Sequence, residues 1–596
     1  MDKKTTDIMR RALSFRTVLV LFIAVCLCCT FPALRAAIMS LMEHVIGRSL
    51  KNLQKWDAVI TYSMRFFALV ASAAYFFMYT GKGTEFRRKA AARLREPFAE
   101  TADRRRTALI FAVYVVCYLA LLRADYNYKD DVQRLLGGHK SWVEASRYIS
   151  ESLAVFLHTN FYLNDISPLG QLIALAVLSV ASALLAWSTA GGRPRTMALL
   201  ASAFIAITPF YIENMSYKFD APYMALSMLA GVLPFMFTAD LPLFAVVSVL
   251  SLLAACCSYQ AANSVYVVLA VGTALSMFLD GKKWRDIGSF VLCALLSYLV
   301  ALAFFRFVLM IPTELTIDER DTGLLHGSQL LALVRANFAQ YARAAAKQYG
   351  NLWLKLFTAA LALLFPVAAA LSSRRNKWLS ALVAVAGLLL MFALSFGAYL
   401  FIGNPVTENR ALMGLDALIA FAGVFTASRL GGRGRAGAVS ALVTGCLLYG
   451  FCMCCTVAGN LYAKQKEYET FRYTLLMHDL SLFVSDLGKS TIYITGGIGQ
   501  TAAGHMDYTN YRMDIGDVTM GWVKHKVMEK NMNFEFLSGN AYADRLEEQP
   551  ELQARLESLP LLLSTYYHSI YGADDLYYVT LKCPQVSGYE NRRSQE

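Results

Sequence analysis

About thirteen apolar runs, each near the roughly 20 residues that cross a bilayer as a helix, follow one another between residues 17 and 459. In lipid, a backbone must satisfy its own hydrogen bonds within each segment. Such a chain therefore folds as a polytopic α-helical membrane protein. Charge is scarce. Of the 596 residues, 17% are Asp, Glu, Lys or Arg, against about 25% in soluble domains. The net charge of +13 is not spread as on a nucleic-acid-binding surface. Lys and Arg gather in short loops between apolar runs, the positive-inside distribution. Membrane lipids are expected partners and nucleic acid is not.

The apolar runs fall near 17–34, 57–80, 107–123, 167–189, 196–213, 221–238, 241–257, 261–279, 287–311, 353–371, 378–402, 411–429 and 436–459. The loop 81–106 carries Lys82, Arg87, Arg88, Lys89, Arg93, Arg95, Arg104, Arg105 and Arg106, which assigns it to the cytoplasm. The basic N-terminus and the run 17–34 have the look of a signal peptide, with Ala33-Leu34-Arg35-Ala36-Ala37 weakly like a cleavage site, but an uncleaved anchor is favoured. Alternation from there places Arg193 and Arg195, Lys282, Lys283 and Arg285, Arg374, Arg375 and Lys377, and Arg433 and Arg435 inside. The polar stretches 125–165, 213–220, 258–263, 312–352 and 404–410 then converge on the outer face. The N-terminus is expected to be cytoplasmic and the tail 460–596 extracytoplasmic.

That tail is rich in Tyr, Asp, Lys, Asn and Gly. Ser490–Thr495 and Tyr577–Lys582 alternate like strands, and Glu547–Leu559 reads as a short helix. A small α/β domain is expected there. Residues 318–352 lack a span-length run and are expected as helices lying along the outer surface. Eleven of the twelve cysteines lie in or beside apolar runs, which leaves no disulfide framework. Cys452-Met453-Cys454-Cys455 has no nearby His and reads as packing rather than as a metal site.

The chemistry centres on Tyr126-Asn127-Tyr128-Lys129-Asp130-Asp131-Val132-Gln133-Arg134, just after the third run. Charges beside a membrane are costly unless they line a wet cavity. Adjacent carboxylates cannot point the same way on a helix or strand, so one can face a hydroxyl while the other meets a cation. A solvated loop with two acids is the bland alternative. Asp165 reads equally as a helix cap or a site residue. Lys218, flanked by Tyr217 and Asp220, is either a snorkelling anchor or a cation for a phosphate. Arg306 lies near the outward end of a run and offers the same choice. Arg410 opens the run 411–429, where the helix dipole disfavours a cation, so a ligand or a partner is expected, with Glu408 as the candidate partner. Tyr259 and Gln260 offer hydrogen bonds to a sugar, or simply pack. No P-loop, HExxH, GxSxG or GxGxxG stands in a usable context, so any reaction outside the membrane needs an activated substrate.

Tyr128-Lys129-Asp130-Asp131 with Arg134, then Gly137 and Trp142, Asn164-Asp165-Ile166-Ser167-Pro168-Leu169, and Glu213-Asn214 with Ser216-Tyr217-Lys218-Phe219-Asp220 resemble the Gtr serotype-conversion glucosyltransferase family. That family is of the GT-C class of polytopic glycosyltransferases. The resemblance covers about 107–460. It divides the chain into an N-terminal membrane hairpin (1–106), a GT-C-like core (107–459) and the extracytoplasmic tail (460–596). It implies a bacterial inner-membrane enzyme with a polyprenyl-phosphate-linked sugar donor, usually glucose, and a periplasmic glycan acceptor such as O-antigen. Carried onto this chain, Asp130 or Asp131 is the catalytic base, with Asp130 favoured. Lys218, Arg306 and Arg410 bind the donor phosphate. Asp165 and Asp220 bind sugar hydroxyls or hold Lys218 in place, and Arg134, Tyr217, Tyr259 and Gln260 bind substrate. No cofactor is implied, and a divalent cation is left open. The competing readings are a transporter or flippase of the lipid-linked sugar, an O-antigen polymerase or ligase, and a non-catalytic assembly scaffold.

Overall fold

The computed structural model describes residues 14–37, 40, 53–312, 330–484, 490–499, 501 and 550–582. Among them, ten helices are long and apolar enough to cross a membrane. These are Lys55–Tyr79, Thr101–Ala124, Leu169–Ala190, Leu241–Ser258, Gln260–Leu279, Trp284–Leu309, Leu352–Ser372, Lys377–Leu394, Met413–Leu430 and Gly434–Ser481. The chain is a multi-pass membrane protein. The three remaining expected spans coincide with shorter apolar helices, Phe15–Cys28, Thr196–Ala206 and Ala221–Phe237. At about 1.5 Å per residue, Thr196–Ala206 falls well short of a hydrocarbon layer of about 30 Å. Every residue from Ala198 to Leu199 and from Ala201 to Tyr223 is buried. The run 196–213 is apolar because protein surrounds it, and hydropathy does not distinguish protein from lipid.

The peripheral helices show the opposite pattern. Leu295, Leu296, Leu299 and Val300 on one helix, and Trp378, Leu382 and Leu389 on another, are exposed. An apolar belt of this kind would be a liability in water and is ordinary against acyl chains. Within the stretch 318–352 a helix stands at Leu330–Gln348. It is tied to the bundle by Asn337 Nδ2, which donates to Leu400 O (3.1 Å) and Ile402 O (3.0 Å). The first part of that stretch, 318–329, lies outside the described residues.

Basic loops meet at one end of the bundle. Arg193 pairs with Asp103 (2.8 Å), Lys89 with Asp240 (3.1 Å) and Arg429 with Asp280 (2.6 Å), while Arg106 donates to Pro194 O (3.2 Å). The polar stretches 125–165, 213–220 and 404–410 meet elsewhere, in a cluster of their own.

The last long helix does not stop near 459 but continues to Ser481, 48 residues in all. At about 1.5 Å per residue this is about 72 Å, more than twice the hydrocarbon thickness. Its membrane half packs against Thr101–Ala124, where Gly459 lies against the backbone of Ala120 and Leu121 with no room for a side chain. Its far half carries a four-stranded sheet of order β1-β4-β3-β2, with β1 Thr491–Gly496, β2 Leu561–Ser564, β3 His568–Ala573 and β4 Leu576–Leu581. β1 is parallel to β4 and the other pairs are antiparallel. Asp574 and Asp575, both at positive φ, make the two-residue turn between β3 and β4. Both expected strands are present within a residue, and Pro550–Glu557 forms the helix expected there.

Tyr473, Leu476 and Leu480 on the helix bury Ile492, Ile494, Ile570 and Val579 of the sheet. Arg472 fastens the two. It is buried, and its guanidinium donates to Tyr468 Oη (2.7 Å), Ile498 O (3.0 Å), Tyr567 O (2.8 Å) and Lys582 O (2.9 Å). Hydrogen bonds from a charged donor contribute about 1.5–3 kcal/mol each, and orphaned buried carbonyls cost more. Arg472→Met is expected to release the sheet while leaving the bundle folded. Limited proteolysis should then cut between 484 and 582 faster than in the wild type, with the membrane fragment intact.

Candidate active site

The helix Thr101–Ala124 ends at Asp125, whose φ of 46° breaks the helical path. An extended Tyr126–Tyr128 follows, then Lys129, also at φ 46°, and a two-turn helix Asp130–Gly137. Gly138, at φ 64°, closes that helix by donating to Arg134 O at 2.8 Å. Asp130 and Asp131 occupy its first turn, where the helix dipole favours negative charge.

Adjacent positions on a helix diverge by about 100°, and the two acids take opposite environments. Asp131 is fully buried. Its carboxylate accepts from the backbone N–H groups of Tyr128 (3.3 Å), Lys218 (2.9 Å) and Phe219 (3.4 Å). Burial pushes it up to about 7, against the pull of Arg134 and the Lys218 and Phe219 amides. It clamps the 217–220 loop to the Asp130 helix. Asp130 is exposed, and among the described residues it has no hydrogen bond or ion pair. It is nonetheless hemmed in by protein. That crowding works to raise its carboxyl, but Arg134, then Arg410, Lys129 and Arg147, outweigh it and hold the acid below its ordinary range. The accessible surface at Asp130, ringed by these cations, is the candidate recess.

Three ionic groups build the wall of that recess. In the first, Arg134 pairs with Asp220, and Trp142 Nε1 donates to the same carboxylate (2.7 Å) while its ring lies 4.7 Å from the Arg134 guanidinium. In the second, buried Glu213 accepts from Lys129 Nζ (2.9 Å), Tyr128 Oη (3.1 Å) and the Arg410 backbone N–H (3.0 Å). Arg410 also donates to Tyr217 Oη (2.5 Å) and pairs with Glu408 (2.6 Å). Burial works to raise Glu213, and Lys129 and Arg410 bring it below its ordinary value. In the third, Lys218 Nζ lies 2.7 Å from Asp125 and 2.9 Å from Asp165. Burial opposes the Lys218 charge, and the two acids overcome that and raise it. Asp165 also accepts from the Ser167 N–H (2.9 Å), while the cap position of the next helix belongs to Pro168.

Arg147 stands apart. Its Nε donates to Gln260 Oε1 (3.1 Å) and its guanidinium covers the Tyr259 ring at 4.7 Å, and no acid pairs with it among the described residues. Gln260 is fixed in turn by donating to Ala145 O (2.6 Å).

Ten of the residues singled out from the sequence are thus gathered: Asp130, Asp131, Arg134, Asp165, Tyr217, Lys218, Asp220, Tyr259, Gln260 and Arg410. Arg306 is not. It sits in the π-helical turn Phe305–Leu309, reaches Met310 Sδ (3.4 Å) and meets none of the others. Lys129, Trp142, Arg147 and Glu213 also belong to the cluster, and the sequence pattern assigns them no role, while Glu408 pairs with Arg410 as the sequence leads one to expect. For Lys129 and Glu213 the available signal is their place inside the Tyr128–Arg134 and Glu213–Asp220 motifs. Arg147 has none, because only folding brings 147 to 260. Among the described residues no three His, Cys, Asp or Glu side chains stand close enough to hold a metal ion.

A family model described as Glucosyl transferase GtrII matches residues 119–427, the segment that supplies nearly all of this cluster. The chain belongs to the GtrII glucosyltransferase family. A protein of Salmonella phage P22, described as "Uncharacterized 55.3 kDa protein in gtrB 5'region", is 23% identical over 175 residues, 29% of this chain and 36% of that one. The GtrII chain thus matches little more than a third of that relative's length. No solved structure matches it significantly. Lys466, which donates to Asp125 O (2.6 Å), and Glu469, which accepts from Tyr126 Oη (2.8 Å), lie beyond the family segment and tie the long helix to the site.

The double engagement of Lys218 makes a specific prediction. Lys218→Met leaves Asp125 and Asp165 facing each other and is expected to lower the thermal midpoint in detergent by several degrees. Lys218 holds Asp125 below its ordinary range, so this stabilisation is present above about pH 4 and lost as the pH falls further. The difference between wild type and Lys218→Met should therefore narrow below about pH 4, and a constant difference would remove the ion cluster as its cause.

Proposed function

We propose that this GtrII-family chain is an inverting glycosyltransferase that moves a hexose, with glucose as the first candidate, from a polyprenyl-phosphate donor to a cell-surface glycan such as O-antigen. The observation that carries this is Asp130, an accessible carboxylate that has no hydrogen-bond or ion-pair partner among the described residues and is held below its ordinary range by Arg134, Arg410, Lys129 and Arg147. Transfer from a glycosyl phosphate needs a base for the acceptor hydroxyl and positive charge for the departing phosphate.

Asp130 accepts the proton of the acceptor hydroxyl as that oxygen bonds to the anomeric carbon. The bond from the anomeric carbon to the phosphate oxygen breaks, and polyprenyl phosphate leaves with the electron pair. A single displacement inverts the anomeric centre. Arg410 and Lys129, together with unpaired Arg147, are assigned to the phosphate. Lys218, enclosed by two acids, and Asp131, engaged by three amides, hold the recess in shape. Tyr217, Tyr259, Gln260 and Asp220 are assigned to its walls, where they orient sugar hydroxyls. Before the donor binds, the cations keep Asp130 ionised. A phosphate that neutralises part of their field makes the same carboxylate a stronger base.

The gathering of basic loops at one end of the bundle supports an inner-membrane orientation with that end in the cytoplasm. The recess and the C-terminal sheet then face the periplasm. A transporter would want charged groups deep within spans and a path to both faces. The charged groups of this recess instead come from turns and short helices that join the spans.

Transfer of radiolabelled hexose from polyprenyl-phosphate hexose to cell-envelope glycan, in membranes carrying each variant, tests the assignment. Asp130→Asn is expected to lose about 10²–10⁴-fold in rate while the protein stays folded and inserted. Because Asp130 is held low, the acid limb of kcat/KM should lie below about pH 4. Full transfer by Asp130→Asn would remove the base. Transfer of an oligosaccharide in place of one sugar would move the chain to a polymerase or ligase.

A further inference from the structure

Lys129 and Arg410 share two carboxylates of different kinds. Glu213 is buried and engaged at both oxygens, by Lys129 and Tyr128 at Oε1 and by the Arg410 backbone at Oε2. It is a permanent part of the wall, because withdrawing one member of a buried ionic group leaves the others unpaired. Glu408 is not built in this way. Its side chain is 42% exposed, and one oxygen, Oε2, meets both cations, 2.6 Å from Arg410 Nη2 and 3.6 Å from Lys129 Nζ. It stands in the irregular stretch between Ile402 and the 3₁₀ turn Asn409–Ala411, so its side chain can swing without unwinding a helix.

An exposed carboxylate bridging two cations beside an accessible recess occupies the place an incoming oxyanion would take. It is weakly held, since exposed ion pairs contribute little and the freed acid regains water. We propose that Glu408 is the displaceable counter-ion of an anion seat formed by Lys129 Nζ and Arg410 Nη2, and that a phosphate group enters by pushing it aside. The proposal rests on the reading of the recess as a phosphate-donor transferase site. With Glu408 seated, the two cations face two carboxylates. With it displaced, Glu213 cancels one positive charge and one remains, which matches a single negative charge on the ligand. Glu408 therefore sets a threshold, because it excludes neutral sugars and weak anions from the seat and yields to a phosphate.

The test is binding, measured apart from turnover. Farnesyl phosphate and inorganic phosphate are titrated by calorimetry into purified full-length protein in detergent, for wild type, Glu408→Gln and Glu408→Ala. Removing the competing charge is expected to lower Kd by about fivefold in both variants. A gain with farnesyl phosphate alone places the lipid in the recess with the phosphate. A gain with both probes makes the seat specific for phosphate alone. Equal or weaker binding of both probes in both variants overturns the proposal. The two readings fail separately. If the transferase assignment is wrong, Asp130→Asn keeps full transfer. If only the counter-ion is wrong, Asp130→Asn is inactive while Kd does not fall on loss of Glu408.

Discussion

The site depends on the burial of Asp131. A carboxylate removed from water needs compensation, and here three backbone amides supply it, one from the preceding turn and two from the 217–220 loop. Those bonds fix the distance between two polar segments separated by more than 80 residues. They also set the rotation of the short helix. With Asp131 directed inward, Asp130 is turned out into the recess and Arg134, one turn on, reaches Asp220. The neighbouring acids, alike in sequence, are therefore unlike in chemistry.

Around this clamp the charges are arranged in interlocking groups rather than isolated pairs. Lys218 has two acids, Glu213 has Lys129 and the Arg410 amide, and Arg134 has Asp220 beneath the face of Trp142. Each buried ion is costly alone and tolerable in company. Among the described residues the arrangement leaves without an ion-pair partner one accessible acid of the cluster, Asp130, and one cation, Arg147. A glycosyl transfer needs such groups, one for a proton and others for a departing phosphate. The long helix extends the same framework beyond the bundle, since Lys466 and Glu469 reach the site less than about two turns before Arg472 holds the sheet.

Several levels of this architecture are legible in the residues. The apolar runs locate the long helices because lipid and backbone hydrogen bonding leave few alternatives. The motif around Asp130, with Lys218 and Asp220, points to the segments that the fold gathers into one cluster and to the family. The strands at 491 and 576 are visible as alternation. Thr196–Ala206 reads wrongly as part of a span because a helix enclosed by protein is as apolar as one enclosed by lipid. Arg306 groups with the site on its place near a span end, and the structure leaves it with Met310. Arg147 gives no sign of a role because a lone charge in a polar loop has no pattern, and Glu408 is legible only as a neighbour for Arg410.

The sequence alone determined a multi-pass helical bundle, its basic loops, a second set of polar segments between the runs and a small mixed tail. These are one-dimensional properties, set by how each segment partitions between lipid, protein and water. Only the tertiary structure decided the division of labour within the cluster. It enclosed Asp131 and Lys218, left Asp130 accessible, and brought 147 to 260 and 408 to 129. Those roles depend on distance and burial, and electrostatic energies change steeply with both.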